Sequence, residues 1–271
     1  MHVIVCMKQV PDTTQVRIDP ETGTMRREGV PAIINPYDVH AVEEAVRVKE
    51  RYGGTATGIS MGPPQAREAL QKAISFGLDR VFLITDRILA GSDTLATSYV
   101  LSAAIQKVAE QVGPYHLVIC GKQTIDGDTA QVGPGIATRL GLAQLSYVEK
   151  INRVDTEAGT VEVVRQLEGA REVLEGRLPA LLTVVKEINE PRYYSMPALL
   201  RGLRAEVILW DGQALGLERE QVGINGSPTV VRRTFAPPVR EQGEIIPGGM
   251  EDPAAAAQEL AEKIVASGVL S

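Results

Sequence analysis

The sequence predicts an α/β fold: a mainly parallel sheet flanked by helices, with added antiparallel edge strands and an extended C-terminal arm. Three observations predict it. Through the first 143 residues, short apolar runs alternate with helical periods, the pattern of a parallel sheet covered on both faces. Past residue 144 the runs are β-rich and separated by turn residues, with no long helical period between them. From Gly223 to Gly249 the chain is rich in Gly and Pro with little core signal. Such a stretch suits an arm laid on another subunit better than part of a compact domain. The expected organisation is therefore a domain over 1–222, and an arm and helix over 223–271.

Val3 to Met7 is an apolar run without polar alternation, suited to a strand covered on both faces. Val16 to Ile18 and Thr24 to Arg26, separated by Asp19 to Gly23, suit a small hairpin. Asn35-Pro36-Tyr37-Asp38 starts a helix: Asn caps, Pro fits the first position, and an acid falls in the first turn. Val39, Val42 and Val46 share one face, and Gly53-Gly54 stops it. Thr55 to Ser60 is the next strand. Gly62-Pro63-Pro64 turns into a helix carrying Ala66, Ala69, Leu70 and Ala73, ending at Gly77. Arg80 to Thr85 is a strand, and Ser92 or Asp93 caps a long helix that ends before Gly113-Pro114. His116 to Cys120 is a buried strand, followed by a glycine-bearing loop and a short helix over Ile136 to Leu140 that Gly141 stops. Leu145 to Val154, Thr160 to Leu167 and Leu181 to Val185 are the added strands. Ile188 to Leu203, with Pro191 and Pro197, is expected to be irregular. Glu251 or Asp252 with Pro253 starts a last helix, whose stripe is Ala257, Leu260, Ala261, Ile264 and Val265 and whose end is Gly268.

Composition narrows the function. The chain has 271 residues, 44% hydrophobic and 23% charged, enough to bury a sizeable core. A net charge of -6, a pI near 5.3 and 4% aromatics argue against a nucleic-acid surface. No apolar run approaches the ~18 residues of a membrane span, and the N-terminus has no signal-peptide pattern. A cytoplasmic protein is expected. Cys6 and Cys120 lie in strand-like runs and read as buried thiols. His2, His40 and His116 are too dispersed for a metal motif.

The chemistry points to one loop, Gly121 to Pro134. It lies at the carboxyl end of a strand and the start of a helix, where α/β proteins bind nucleotides. Unpaired N–H groups at a helix start favour phosphate, and glycines let the backbone approach a ligand. There is no GxGxxG after the first strand, no Walker loop and no GxSxG elbow. Asp126 and Asp128 read as caps or ribose ligands rather than as a catalytic pair, and no catalytic residue is assigned.

Five short motifs in order carry a resemblance: Asn35-Pro36-Tyr37-Asp38, Met61-Gly62-Pro63, Gly121-Lys122-Gln123, Asp126-x-Asp128 with Gln131-x-Gly133, and Asn189-Glu190-Pro191-Arg192-Tyr193. Together they resemble the β subunit of electron-transfer flavoproteins from residue 1 to about 205, and again around Ser227 to Pro238. The resemblance implies a nucleotide α-hydrolase-like domain. It implies a heterodimer with an α subunit that binds the redox FAD, wrapped by this chain's C-terminal arm. It also implies an electron-carrier subunit, with NADH-oxidising activity only in the complex. By the family's pattern, Cys6, Asn35, Asp38 and Met61 surround the adenosine. Thr94, Asp126, Gly127, Asp128, Thr129, Ala130, Gln131, Val132 and Gly133 complete the cofactor site, with Thr129 and Gln131 donating to phosphate.

The family has two branches that differ at this loop. The housekeeping branch holds a structural AMP and carries a third acid where this chain has Gly127, and Gln-Thr-Gly where it has Gln131-Val132-Gly133-Pro134. The form seen here, with Gly91 to Ser98 and Val30 to Asn35, resembles the electron-bifurcating branch, which includes nitrogen-fixation-associated and caffeoyl-CoA-reductase-associated proteins. There a second FAD replaces AMP and is reduced by NADH. One electron passes to the high-potential FAD and one to ferredoxin or flavodoxin. A carboxylate beside the extra phosphate would be repelled by roughly 1–4 kcal/mol, which Gly127 removes; the same glycine is expected to permit a positive-φ turn. AMP in a housekeeping carrier is the alternative. An unrelated ATP-using enzyme is opposed by Lys8-Gln9-Val10-Pro11-Asp12, which stands where a phosphate loop would be needed. Met196 and Pro197 fall where the family docks an acyl-CoA dehydrogenase-like or quinone-reducing acceptor.

Overall fold

A computed structural model describes residues 1–12, 17–18, 25–26, 31–232 and 243–268. The chain divides into two units, Met1–Thr234 and Phe235–Ser271. The first unit ends later than the expected boundary at 222. Part of the Gly223 to Gly249 stretch, residues 233–242, lies outside the described residues, as does the Asp19 to Gly23 turn.

The first unit is built on a nine-stranded sheet. Its central strand β1 (His2–Cys6) is wholly buried. Val3 and Val5 point into the core on one face, while Ile4 and Cys6 point into the core on the other. That explains why the run shows no polar alternation: both faces are covered. Four short strands follow, β2 (Gln9–Pro11), β3 (Arg17–Ile18), β4 (Met25–Arg26) and β5 (Ala32–Ile34). β3 pairs antiparallel with β4 as the hairpin expectation requires, and β2 with β5. Helix α1 (Pro36–Tyr52), β6 (Thr55–Met61), α2 (Arg67–Phe76), β7 (Arg80–Ile84), α3 (Thr94–Val112), β8 (Leu117–Gly121) and α4 (Val132–Leu140) complete the alternating half. α4 begins four residues earlier than the apolar pattern suggested. Gly141 ends it in the left-handed region, φ 64°.

β9 (Ala143–Asp155), β10 (Thr160–Leu167), β11 (Ala170–Arg177) and β12 (Ala180–Val184) follow. The sheet order is β11-β10-β9-β12-β8-β1-β6-β7-β13, with β13 (Ile208–Trp210) at the far edge. From β9 to β13 the pairs are parallel; β10 and β11 are antiparallel additions. Among the described residues this is the expected α/β architecture. Four strands were not foreseen: the three-residue β2, β5 and β13, and β11, an exposed, charge-rich edge, all places where hydrophobic periodicity is weakest.

One expectation about the helices is overturned. The stretch Ile188 to Leu203 is not irregular throughout, because Met196–Arg204 form helix α5. Ser195 caps it by accepting from the Ala198 N–H, and Pro197 sits in its first turn. Proline is compatible with that position, whose N–H has no intrahelical partner. Gly202 lets α5 press on α2: a Cβ there would lie 2.1 Å from Ser75 Oγ.

The second unit contains α6 (Pro253–Ala266), capped by Asp252 and ended at Gly268 with φ 70°. Its Leu260, Ile264 and Val265 are exposed. No helix among the described residues is long and apolar enough to cross a membrane.

Candidate functional site

The chain runs from β1 outward through β6 and β7, then returns with β8 to the other side of β1. The carboxyl ends of β1 and β8 therefore diverge at a topological switch point, where open α/β sheets place their ligands. A cavity of about 700 Å³ opens there, within the usual size of small-molecule sites. Cys6 at the end of β1 and Cys120 on β8 form its floor. They are in-register neighbours, and both are buried free thiols. The Cys120 thiol is pushed well up by its hydrogen bond with Cys6 and by burial.

Eleven of the thirteen residues expected at the site line this cavity: Cys6, Asp38, Met61, Thr94, Asp126, Gly127, Thr129, Ala130, Gln131, Val132 and Gly133. Asn35 and Asp128 do not. Asn35 is fully buried beneath the loop; its Nδ2 donates to Gln123 O at 2.8 Å and its Oδ1 accepts from Ile125 N at 3.2 Å. Asp128 turns back to accept from the Gln123 side chain. Both hold the loop's shape rather than its inner wall.

The expected positive φ at Gly127 is not found. The left-handed positions are Asp128 (φ 56°) and Ala130 (φ 55°). Non-glycine residues there are uncommon and mark a backbone held by its surroundings. Here the holders are the Asp128 N–H bond to Thr124 O, 2.8 Å, and the Asn35 contacts. A Cβ on Gly127 would meet only Thr124 Oγ1, at 3.4 Å. Its lack of a side chain is thus not required by packing. Gly121 and Gly133 differ. A Cβ on Gly121 would lie 2.4 Å from Asp38 Oδ1, and one on Gly133 2.6 Å from Thr183 Cγ2.

Two helix starts face the cavity. α3 is capped: Asp93 accepts from Leu95 N (2.9 Å) and Ala96 N (3.1 Å), and its other oxygen takes Thr229 N and Oγ1. α4 begins at Val132 with no side-chain cap from Gln131, whose Oε1 instead accepts from Thr94 Oγ1 at 3.0 Å. Val132 and Gly133 at its start keep N–H groups with partial positive charge, and Pro134 has none to satisfy.

Asp38 clamps the floor. Its Oδ2 accepts from Lys8 N at 2.7 Å and its Oδ1 from Gly121 N at 3.2 Å, joining the ends of β1 and β8. Burial raises its carboxyl to about 7, against those hydrogen bonds and the Asn35 contact. At the rim Lys8 pairs with Asp126 at 2.6 Å. Burial would raise the Asp126 carboxyl, but Lys8 and Thr124 outweigh it and hold it below its ordinary value.

Among the lining residues that the sequence did not assign are Lys8, Asp93, Thr229 and Val231, while Lys122 falls in the loop it singled out without a role of its own. Lys8 had a signal, since it directly follows a strand's carboxyl end. Thr229 and Val231 had none, because they lie in the stretch read as an arm. Instead residues 223–229 are tied to the start of α3: Gly223 N donates to Ser92 Oγ, Asp93 N to Ser227 Oγ and Thr229 N to Asp93 Oδ2.

The two residues expected to dock an acceptor, Met196 and Pro197, lie elsewhere in this unit. Met196 is 67% exposed and opens α5, with Pro197 beside it and Tyr193 fully exposed before it. His2 and His116, far apart in sequence, meet through His2 N and His116 Nδ1 at 3.1 Å. No cluster of three or more His, Cys, Asp or Glu suited to a metal occurs among the described residues.

Residues 22–214 match the family described as electron transfer flavoprotein domain. The chain is 51% identical over 257 residues to protein FixA of Bradyrhizobium diazoefficiens, covering 94% of this chain and 89% of that one. It is 51% identical over 255 residues to protein FixA of Azotobacter vinelandii, 93% and 90% covered. It is 46% identical over 255 residues to the electron transfer flavoprotein subunit beta of Clostridium acetobutylicum, 94% and 95% covered.

Proposed function

The chain belongs to the electron transfer flavoprotein family as a β-subunit-like member, and from that premise we propose that it is the flavin-binding β subunit of an electron-bifurcating heterodimer. Its partner is the α subunit. FAD occupies the switch-point cavity, with its diphosphate on the Gly127 to Gly133 backbone. When bound, this flavin accepts a hydride from NADH and passes single electrons to a high-potential FAD in the partner and to ferredoxin or flavodoxin.

The observation that carries the reading is the uncapped start of α4, beside a glycine where the housekeeping pattern has an acid. Donors without acceptors welcome phosphate oxygens. The space beside Gly127 accommodates the second phosphate, and no carboxylate at that position opposes it. Asp128 and Ala130 stand in the left-handed region, a backbone conformation from which anion-binding nests are built. Lys8 and Lys122 add positive charge near the mouth. Asn35 and Asp38 keep the loop and floor fixed. Met196 and Pro197 on α5 dock the acceptor, an acyl-CoA dehydrogenase-like or quinone-reducing protein, through a flexible apolar side chain suited to transient contact.

Cofactor analysis of the purified heterodimer tests this. Acid release should yield two FAD per heterodimer, together with NADH-dependent reduction of ferredoxin or flavodoxin. One FAD and one AMP would instead identify a housekeeping carrier.

A further inference from the structure

An ionic fork ties the approach to α5 onto α1. Glu43 and Glu50 lie two helical turns apart on one face of α1. Arg192 bridges them: Nε and Nη2 reach Glu43 at 2.9 and 3.2 Å, and Nη1 and Nη2 reach Glu50 at 2.7 and 2.8 Å. Arg192 N also donates to Glu43 Oε2 at 3.2 Å. The Glu43 side chain is only 1% exposed, and Arg47 completes its shell at 2.7 Å while donating to Glu190 O. Asn189 Nδ2 donates to His40 O at 3.0 Å and Glu44 Oε2 at 2.9 Å. Thus each of residues 189, 190 and 192 is bonded to α1. Immediately afterwards Tyr193 is wholly exposed, Tyr194 packs edge-on against Phe76 of α2 at 5.3 Å, and α5 begins at Met196.

The opposite end of the same helix holds the cofactor loop. Asn35 fastens Gln123 and Ile125, and Asp38 fastens Lys8 and Gly121. One rigid element therefore indexes both the nucleotide loop and the docking segment. A planar guanidinium bridging two carboxylates fixes direction as well as distance, which a lysine or an apolar contact does not.

We propose that Glu43 and Arg192 are positioning residues for electron transfer: with α5 seated on α2, they fix the segment that leads into it relative to the nucleotide loop, so that residues 193–196 are presented from one place. This rests on reading residues 193–200 as the docking segment. Electron transfer falls steeply with distance, so a loosened segment slows protein-to-protein transfer without altering flavin chemistry.

The test uses the co-expressed heterodimer with Arg192→Gln, Arg192→Lys and Glu43→Gln, and Met196→Ala beside them. Hydrogen exchange over 193–200 reports positioning. Reduction of dichlorophenolindophenol, a small dye, reports flavin chemistry without docking. Reduction of an acyl-CoA dehydrogenase reports docking. Arg192→Gln should speed exchange over 193–200 and raise the dehydrogenase KM, each about tenfold, equivalent to ~1.4 kcal/mol. Dye reduction and exchange in α2 should stay at wild type, and Arg192→Lys should recover part of the loss. Unchanged exchange over 193–200, or dye reduction falling in step with dehydrogenase reduction, overturns the proposal. A wild-type dehydrogenase KM in Met196→Ala, with exchange raised in Arg192→Gln, would leave the positioning intact and overturn the docking reading beneath it.

Discussion

At Gly127 a single missing side chain carries the distinction between two cofactors. A Cβ there meets one atom at ordinary contact distance, and the backbone has no positive φ. Gly127→Asp should therefore fold normally and still lose FAD affinity by about 10- to 100-fold, or roughly 1.4–2.8 kcal/mol. Flavin titration after dialysis checks this; full retention would remove the electrostatic argument. Asp38 makes a second prediction. Its folded carboxyl titrates near 7 rather than 3.8, so between those values the folded chain keeps a proton that the unfolded chain has released. Its contribution to stability is complete below the unfolded value and is lost as pH rises through about 7. Asp38→Asn does not titrate and lacks an acceptor. It should melt below wild type, with a gap that narrows from about pH 5.5 to about pH 8.5. Thermal melts at both ends decide it, and a constant gap would mean the carboxyl stays ionised. Neither residue's environment was legible in the sequence. The glycine could be named from a motif, but its φ depends on bonds from Asn35 and Thr124 that no local pattern announces.

Elements were legible where burial imposes a period. The alternation through residue 143 needs each strand apolar on both faces and each helix apolar on one, and that is written directly in the residue order. α5 was hidden because Pro191 and Pro197 read as breakers, although Pro197 occupies a first-turn position. β11 was hidden because its edge carries Arg171, Glu172, Glu175 and Arg177. The cap of α1 shows how an element reaches beyond itself. Asn35 was expected from its position as a helix cap, yet no side-chain cap bond is found. It spends its amide on the loop of a strand and helix some ninety residues later. Asn35→Ala would leave Gln123 O and Ile125 N unpaired, at about 1–3 kcal/mol for each buried group. A lower denaturation midpoint with a more mobile Gly121 to Gly133 loop is expected. A cap role alone would lower helix stability and leave loop exchange unchanged.

For the whole molecule, the two units predict different dependence on a partner. Gly223, Ser227 and Thr229 are bonded to Ser92 and Asp93 at the start of α3, so residues 223–229 should resist protease in the isolated chain. α6 exposes Leu260, Ile264 and Val265 along one stripe. A helix of this length has little stability without a covered face. Limited proteolysis should cut within 243–268 in the isolated chain, with protection when the α subunit is added. Equal cleavage with and without the partner would count against an arm that binds it. The sequence indicated a low-core C-terminal region, but it could not show where packing on the first unit stops, because Ser227 and Thr229 act through single hydrogen bonds rather than an apolar period.

The strand order also has a consequence for how the protein is made. β12 lies between β9 and β8, yet it is synthesised after β9, β10 and β11. The antiparallel meander joins the main sheet through the five residues Ala180–Val184, whose two edges are both occupied. Until those residues leave the ribosome the meander has no partner to align on, and β8 presents an open edge. A chain truncated just short of residue 180 and released should hold a folded β1–β6–β7–β8 sheet and an unattached β9–β10–β11 meander. Addition of one short strand would then unite them in a single late step.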